Sequence, residues 1–176
     1  MILILPGLNG SGPEHWQTRW EGRLPGAQRV AERDWARPDR AEWVAALDQA
    51  VASAAGAAVV LVAHSLGCLQ VVHWAAAAAG ASAVRGALLV APPDPARPDF
   101  PEVATGFRPV PVTALPFPSI LVASRNDPYG SFAFAEGCAR AWGSRLVDAG
   151  SCGHINADSA LGDWEDGLRL LDLVTG

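Results

Sequence analysis

The chain has 176 residues, half of them hydrophobic and 18% charged, with a formal net charge of -5 and no lysine. That balance belongs to a globular chain with a sizeable core rather than a disordered one, and the length reads as one domain, residues 1–176. The 13 basic residues are all arginine and lie scattered, so neither a nucleic-acid backbone nor an anionic membrane surface finds the basic face it needs.

Met1-Ile2-Leu3-Ile4-Leu5 reads as a short strand that stops at Pro6-Gly7. It has no basic n-region and no cleavage site, unlike a signal peptide. After a glycine-rich loop, Pro13 suits a first helical position, with Trp16, Trp20 and Leu24 recurring at a spacing of four. A second strand is expected over about Gln28–Glu32, and Pro38-Asp39 opens a second helix with Trp43, Leu47, Ala50 and Val51 on one face. Ala57–Ala63 is an apolar third strand, and Ser65–Ala79 a third helix. The longest apolar run, Val51–Ala63, is too short to span a bilayer. Arg85–Ala91 is the fourth strand. Pro92–Pro118 holds nine prolines and no clear period, so a loop with at most a short turn of helix is expected there. A fifth strand (Ser119–Ser124), a helix (Ser131–Trp142), a sixth strand (Arg145–Asp148) and a last helix (Gly162–Val174) complete the chain. Alternating strand and helix, with continuous apolar strands, means an α/β fold with a mainly parallel sheet buried on both faces. Right-handed crossovers put every loop that follows a strand on one edge, where ligands bind.

The third strand runs into Ala63-His64-Ser65-Leu66-Gly67 and then a helix. This is the layout of a nucleophile elbow, G-x-S-x-G, with Ala63 in place of the first glycine. The strained turn lifts a serine hydroxyl above the sheet, and its close neighbours must be small. A serine needs a base to remove its proton and an acid to orient that base. In the chain order Ser, Asp/Glu, His the candidates are Asp127, in Asn126-Asp127-Pro128 directly after strand five, and His154, in Gly153-His154 after strand six. Leu66 supplies one backbone N–H of an oxyanion hole. The loop Gly7–Gly12 supplies the other, from Leu8 or, as the alternative, Asn9.

Other readings compete at several positions. His64 adjoins the nucleophile and would point elsewhere. His73 would pack within its helix. His15 reads as a helix-start residue that bonds locally, or as a group at the substrate's edge. Asp94 and Asp99 follow strand four, where some hydrolases carry the acid. The loop Gly7–Gly12 with Asp34 about 20 residues on could bind a dinucleotide, but its spacing is not G-x-G-x-x-G. Cys68, Cys138 and Cys152 are odd in number and lack C-x-x-C spacing, which supports neither zinc nor a disulfide framework; a reducing cytoplasm is the default location. By loop position, Phe107, Leu115, Phe117 and Tyr129, with Asn9 and His15, are the candidates for a substrate pocket.

The chain resembles the small serine hydrolases of the α/β-hydrolase superfamily that include the YdeN-like bacterial proteins and retinoblastoma-binding protein nine. The matching pieces are Pro6-Gly7 with Gly10-Ser11-Gly12 and His15-Trp16; Asp34-Trp35; His64-Ser65-Leu66-Gly67; Leu115-Pro116-Phe117-Pro118-Ser119; Ser124-Arg125-Asn126-Asp127-Pro128-Tyr129; and Gly153-His154-Ile155-Asn156. The resemblance implies a three-layer α/β-hydrolase core of about six mainly parallel strands, order 2-1-3-4-5-6, with little or no cap. It also implies a Ser65-Asp127-His154 triad and no cofactor. The expected reaction is hydrolysis of a small-molecule ester, or an amide, through an acyl-enzyme. A binding or scaffold protein with a vestigial triad is the alternative. Leu66-Gly67-Cys68-Leu69-Gln70 lacks the acid of an L-x-C-x-E motif, so retinoblastoma-protein binding does not carry over.

Overall fold

Strand residues that alternate between two buried faces shape this molecule. The computed structural model describes residues 1–77 and 79–175. Six strands, β1 (Ile2–Leu5), β2 (Ala27–Arg29), β3 (Val59–His64), β4 (Val84–Val90), β5 (Ser119–Ala123) and β6 (Arg145–Asp148), form one sheet in the order β2-β1-β3-β4-β5-β6. Every neighbouring pair is parallel. Leu3, Leu5, Leu61, Ala63, Leu89 and Leu121 share one face with Trp43, Trp74 and Trp142. These tryptophans belong to α2 (Arg40–Ala52), α3 (Leu66–Ala75) and α4 (Phe132–Trp142). The alternate residues Ile4, Val60, Val62, Leu88 and Val122 face Trp16, Trp20, Leu171 and Val174, which come from α1 (Trp16–Arg23) and α5 (Glu165–Thr175). Two helical layers thus cover a sheet whose central strand β3 is buried at every residue. This is the three-layer α/β-hydrolase arrangement.

Helix ends follow local chemistry. Asp39 caps α2 by accepting the N–H groups of Ala41 and Glu42, and Ser131 caps α4, which closes on a left-handed Gly143; both are strong terminator types. Four boundaries differ clearly from those expected of the sequence. Pro13 lies in a turn ahead of α1, whose N-cap is His15. β2 is only Ala27–Arg29; Val30 N–H still reaches the Ile4 carbonyl at 2.9 Å before the chain turns away. α5 starts at Glu165, not Gly162, because Gly162 and Trp164 take left-handed φ values of 57° and 46°. The third helix ends at Ala75, short of the expected Ala79; of that stretch, Ala78 lies outside the described residues.

Residues 91–118 carry no helical turn. An isolated bridge joins Thr105 to Asp39, and the Thr105 hydroxyl donates to Asp39 Oδ2 at 3.0 Å. The cap of α2 therefore also pins this loop. No helix among the described residues is long and apolar enough to cross a membrane.

Candidate active site

The elbow is a steric device. Ser65 has φ 55° and ψ -123°, a combination that costs a non-glycine residue of order 1–3 kcal/mol. A Cβ on Gly67 would sit 2.3 Å from the Leu5 carbonyl oxygen, so that position admits glycine alone. Ala63, fully buried in β3, is small enough for the other side of the turn. Gly7 makes a second close approach that the elbow pattern does not encode. A Cβ there would lie 2.8 Å from Ser65 Cβ, 3.1 Å from Ser65 Oγ and 3.2 Å from Leu66 N.

The Ser65 hydroxyl donates to His154 Nε2 at 2.8 Å. His154 Nδ1 stands 2.9 Å from both carboxylate oxygens of Asp127. A carboxylate accepts only, so Nδ1 carries the proton and Nε2 is left as a base aimed at the serine. The His154 and Asp127 side chains are 8% and 3% exposed, which strengthens the contact electrostatically. Asp127 Oδ1 also accepts the Tyr129 N–H at 2.9 Å. The rivals have other partners, although Asp94 and Asp99 line the cavity over Ser65. Asp99 forms a double contact with Arg97, Asp94 accepts the Ala96 N–H, and His73 donates to the Phe107 carbonyl.

Four consecutive residues of the loop after β6 are each held by a side chain from elsewhere. Cys152 N–H donates to Ser124 Oγ at 2.9 Å, and Gly153 N–H to Asn126 Oδ1 at 2.8 Å. The His154 carbonyl accepts from His64 Nε2 at 2.8 Å, and the Ile155 carbonyl from Trp16 Nε1 at 2.8 Å. From the sequence, His64 and Asn126 are neighbours of site residues and Trp16 is a helix residue; none of them is expected to have this task. Their polar groups carry no local signature for it, since each contact spans 27 to 139 residues.

Leu66 N–H opens the first turn of α3, where backbone donors have no intrahelical partner. Neither it nor Leu8 N–H meets an acceptor among the described residues. Asn9 N–H, by contrast, donates to the Trp35 carbonyl at 2.7 Å. That leaves Leu8, rather than Asn9, free on the loop after β1.

A cavity of about 390 Å³ opens over Ser65. Asn9, His15 and Tyr129 line it; Phe107, Leu115 and Phe117 do not. Phe107 is buried against Trp43 and His73, while Phe117 and Leu115 join the same core layer. The reason is topological. After β4 the chain leaves from the carboxyl edge and must return to the opposite edge to start β5. Its first half, with Pro93, Phe100, Pro101 and Ala104, therefore walls the cavity, and its second half descends along the core.

His15 accepts the Gln17 N–H through Nδ1 at 3.1 Å, and so serves both as helix cap and as cavity wall. Burial, then Arg29, then His154, lower its pKa to about 4. Burial likewise holds His64 well below the ordinary histidine range. Both rings are neutral beside His154. The Cys68 thiol is pushed up by burial, and that of Cys138 to about 12, so both behave as small buried hydrophobes.

A parallel sheet of this order, with a strained serine after its central strand, is the α/β-hydrolase fold. The serine hydrolase family model matches residues 2–173, and the chain belongs to that family. Among solved structures it is similar to a YdeN-like hydrolase from Pectobacterium atrosepticum, at 38% identity and TM-score 0.83 over 97% of this chain and 88% of the other. The ydeN gene product of B. subtilis shares the fold at 19% identity and TM-score 0.73, covering 99% and 97% of the two chains. So does the esterase RhEst1 from Rhodococcus sp. ECU1013, at 13% and 0.69, covering 99% and 90%. A search of curated proteins by sequence found no match.

Proposed function

We propose that this hydrolase cleaves a small-molecule ester, or alternatively an amide, with Ser65 as nucleophile, His154 as base and Asp127 as its orienting acid. The observation that carries the reading is the unbroken pair of contacts, Ser65 Oγ to His154 Nε2 at 2.8 Å and His154 Nδ1 to Asp127 at 2.9 Å. As Ser65 Oγ attacks the carbonyl carbon, its proton passes to Nε2. The imidazolium that forms is held by the Asp127 carboxylate. The oxyanion is received by Leu66 N–H and Leu8 N–H, and each such donor stabilises the transition state by about 3–4 kcal/mol. His154 then protonates the leaving oxygen as the carbonyl–oxygen bond breaks. Water, giving its proton to the same nitrogen, releases the acid and restores Ser65. Leu8, Leu66, Phe100 and Pro101 offer the acyl chain an apolar wall, while Asn9, His15 and Tyr129 stand nearby as polar contacts.

A fluorophosphonate probe tests the assignment. The expected result is labelling of the wild type that is lost in Ser65→Ala and in His154→Ala, with p-nitrophenyl butyrate hydrolysis falling in step. A folded wild type that neither labels nor turns over a panel of esters of graded acyl length would favour the scaffold reading instead.

A further inference from the structure

We propose that His64 is a positioning residue, whose Nε2–H, donated to the backbone carbonyl of His154, keeps the imidazole of His154 within reach of Ser65. The inference rests on the nucleophile and base assignments above and extends them to a residue outside the triad.

Asp127 sets the rotation of the His154 ring, but it does not fix the backbone from which the ring hangs. That backbone sits between two left-handed residues, Gly153 at φ 57° and Ile155 at φ 49°. A turn of this kind is easily lost without outside partners. Among the described residues, the His154 carbonyl has one donor, His64 Nε2 at 2.8 Å. The two residues lie 90 apart in sequence, yet His64 is bonded directly to the nucleophile Ser65. A single rigid ring therefore spans the short path from the serine's backbone to the base's backbone.

The surroundings leave that ring little freedom. His64 is 5% exposed. Its ring lies 4.7 Å from that of His15 and 4.9 Å from that of His154, and the Trp16 ring meets it edge-on at 6.0 Å. A carbonyl accepts only, so the neutral ring must carry its single proton on Nε2. Burial keeps the ring neutral, which avoids a second positive charge beside the imidazolium that catalysis creates. Trp16 Nε1–H, one residue further on, holds the Ile155 carbonyl in the same way.

Two variants and one wild-type measurement test this. Glutamine keeps an N–H at similar reach; leucine keeps volume and removes the donor. With p-nitrophenyl butyrate, His64→Leu is expected to lower kcat about 30- to 100-fold with KM within about twofold, while His64→Gln stays within about fivefold of wild type. Fluorophosphonate labelling rates should follow kcat, and Tm should not. A His64→Leu enzyme with wild-type kcat, or a His64→Gln enzyme as impaired as His64→Leu, overturns the proposal. A long-range proton–nitrogen NMR spectrum of the wild type at neutral pH needs no variant: the Nε2–H tautomer at His64 supports the bond and the Nδ1–H tautomer overturns it. Absence of labelling in the wild type would sink the triad assignment itself. Normal labelling in His64→Leu would sink this inference alone.

Discussion

Gly7→Ala is the sharpest test of the site's construction. Gly7 does not have a left-handed φ, so alanine is allowed there by the backbone, and any effect is one of contact. The new Cβ would stand 2.8 Å from Ser65 Cβ and 3.2 Å from Leu66 N, whereas carbon atoms rest about 3.5–4.0 Å apart. Something must therefore move by roughly 0.7–1.2 Å. Ser65 cannot retreat toward β1, because α3 already presses its Gly67 onto the Leu5 carbonyl. The loop is anchored in turn by the Asn9-to-Trp35 and Gly10-to-Gly7 backbone bonds. A shift of about 1 Å costs about 10²-fold in rate, and shielding an oxyanion donor costs about 10²–10³-fold. The two overlap, so kcat should fall about 10²- to 10³-fold, or about 3–4 kcal/mol, with overpacking lowering stability by about 1–3 kcal/mol. The assay is ester turnover and fluorophosphonate labelling rate beside Tm. Gly22→Ala serves as control, since its Cβ meets nothing within 4 Å. A folded Gly7→Ala enzyme with kcat within about threefold of wild type would refute the close-approach reasoning.

Asn126→Ala removes the acceptor of the Gly153 N–H and is expected to lower kcat about tenfold or more with little change in KM, read from steady-state kinetics. Gly137→Ala, in α4 with open space around its Cβ, should stabilise the fold by about 0.5–1 kcal/mol in urea unfolding, with activity unchanged. Glu32→Gln should change how stability depends on pH. Burial raises the Glu32 carboxyl from 4.5 to about 7, so the folded state holds an extra proton between those values. The contribution is fully present below 4.5 and is lost as pH rises through about 7. The slope it adds is below one proton's worth, about 1.4 kcal/mol per pH unit, because a half-buried carboxyl keeps some water. Urea midpoints at pH 5 and pH 8 should show that Glu32→Gln removes this decline; identical pH profiles would contradict it.

The sheet was legible because its signal is local. Continuous apolar strands such as Val59–His64, followed by punctuated helices, force parallel pairing and a shared functional edge. The meeting of Ser65, Asp127 and His154 is legible for the same reason: each lies directly after a strand, and the connection rule brings those positions together. What escaped depended on the path of the chain between strands. Loop position alone places Phe107, Leu115 and Phe117 at the pocket, but only that loop's first half stays at the carboxyl edge. Pro13, a good first helical residue, predicts too early a start for α1, because the imidazole of His15 caps the helix two residues later. The role of Gly7 was invisible, since its constraint comes from an elbow nearly 60 residues further on.

The network around residues 152–155 explains why a loop with so little core can hold the His154 ring in register. Its own backbone bonds are few: Ile155 N–H to the Cys152 carbonyl at 3.1 Å is one. Gly150, Gly153 and Ile155 all have left-handed φ. Such a segment does not define its own shape; it takes it from Ser124 and Asn126 beyond β5, His64 at the end of β3 and Trp16 at the start of α1. Those donors and acceptors stand at the ends of, or just beyond, elements whose register is set by the two core layers. A change in any of them is therefore transmitted to the distance between Nε2 and Oγ without touching the substrate. On the proposed mechanism such changes should act on kcat rather than KM, because the contact they disturb is the one made in proton transfer, not the one made in binding.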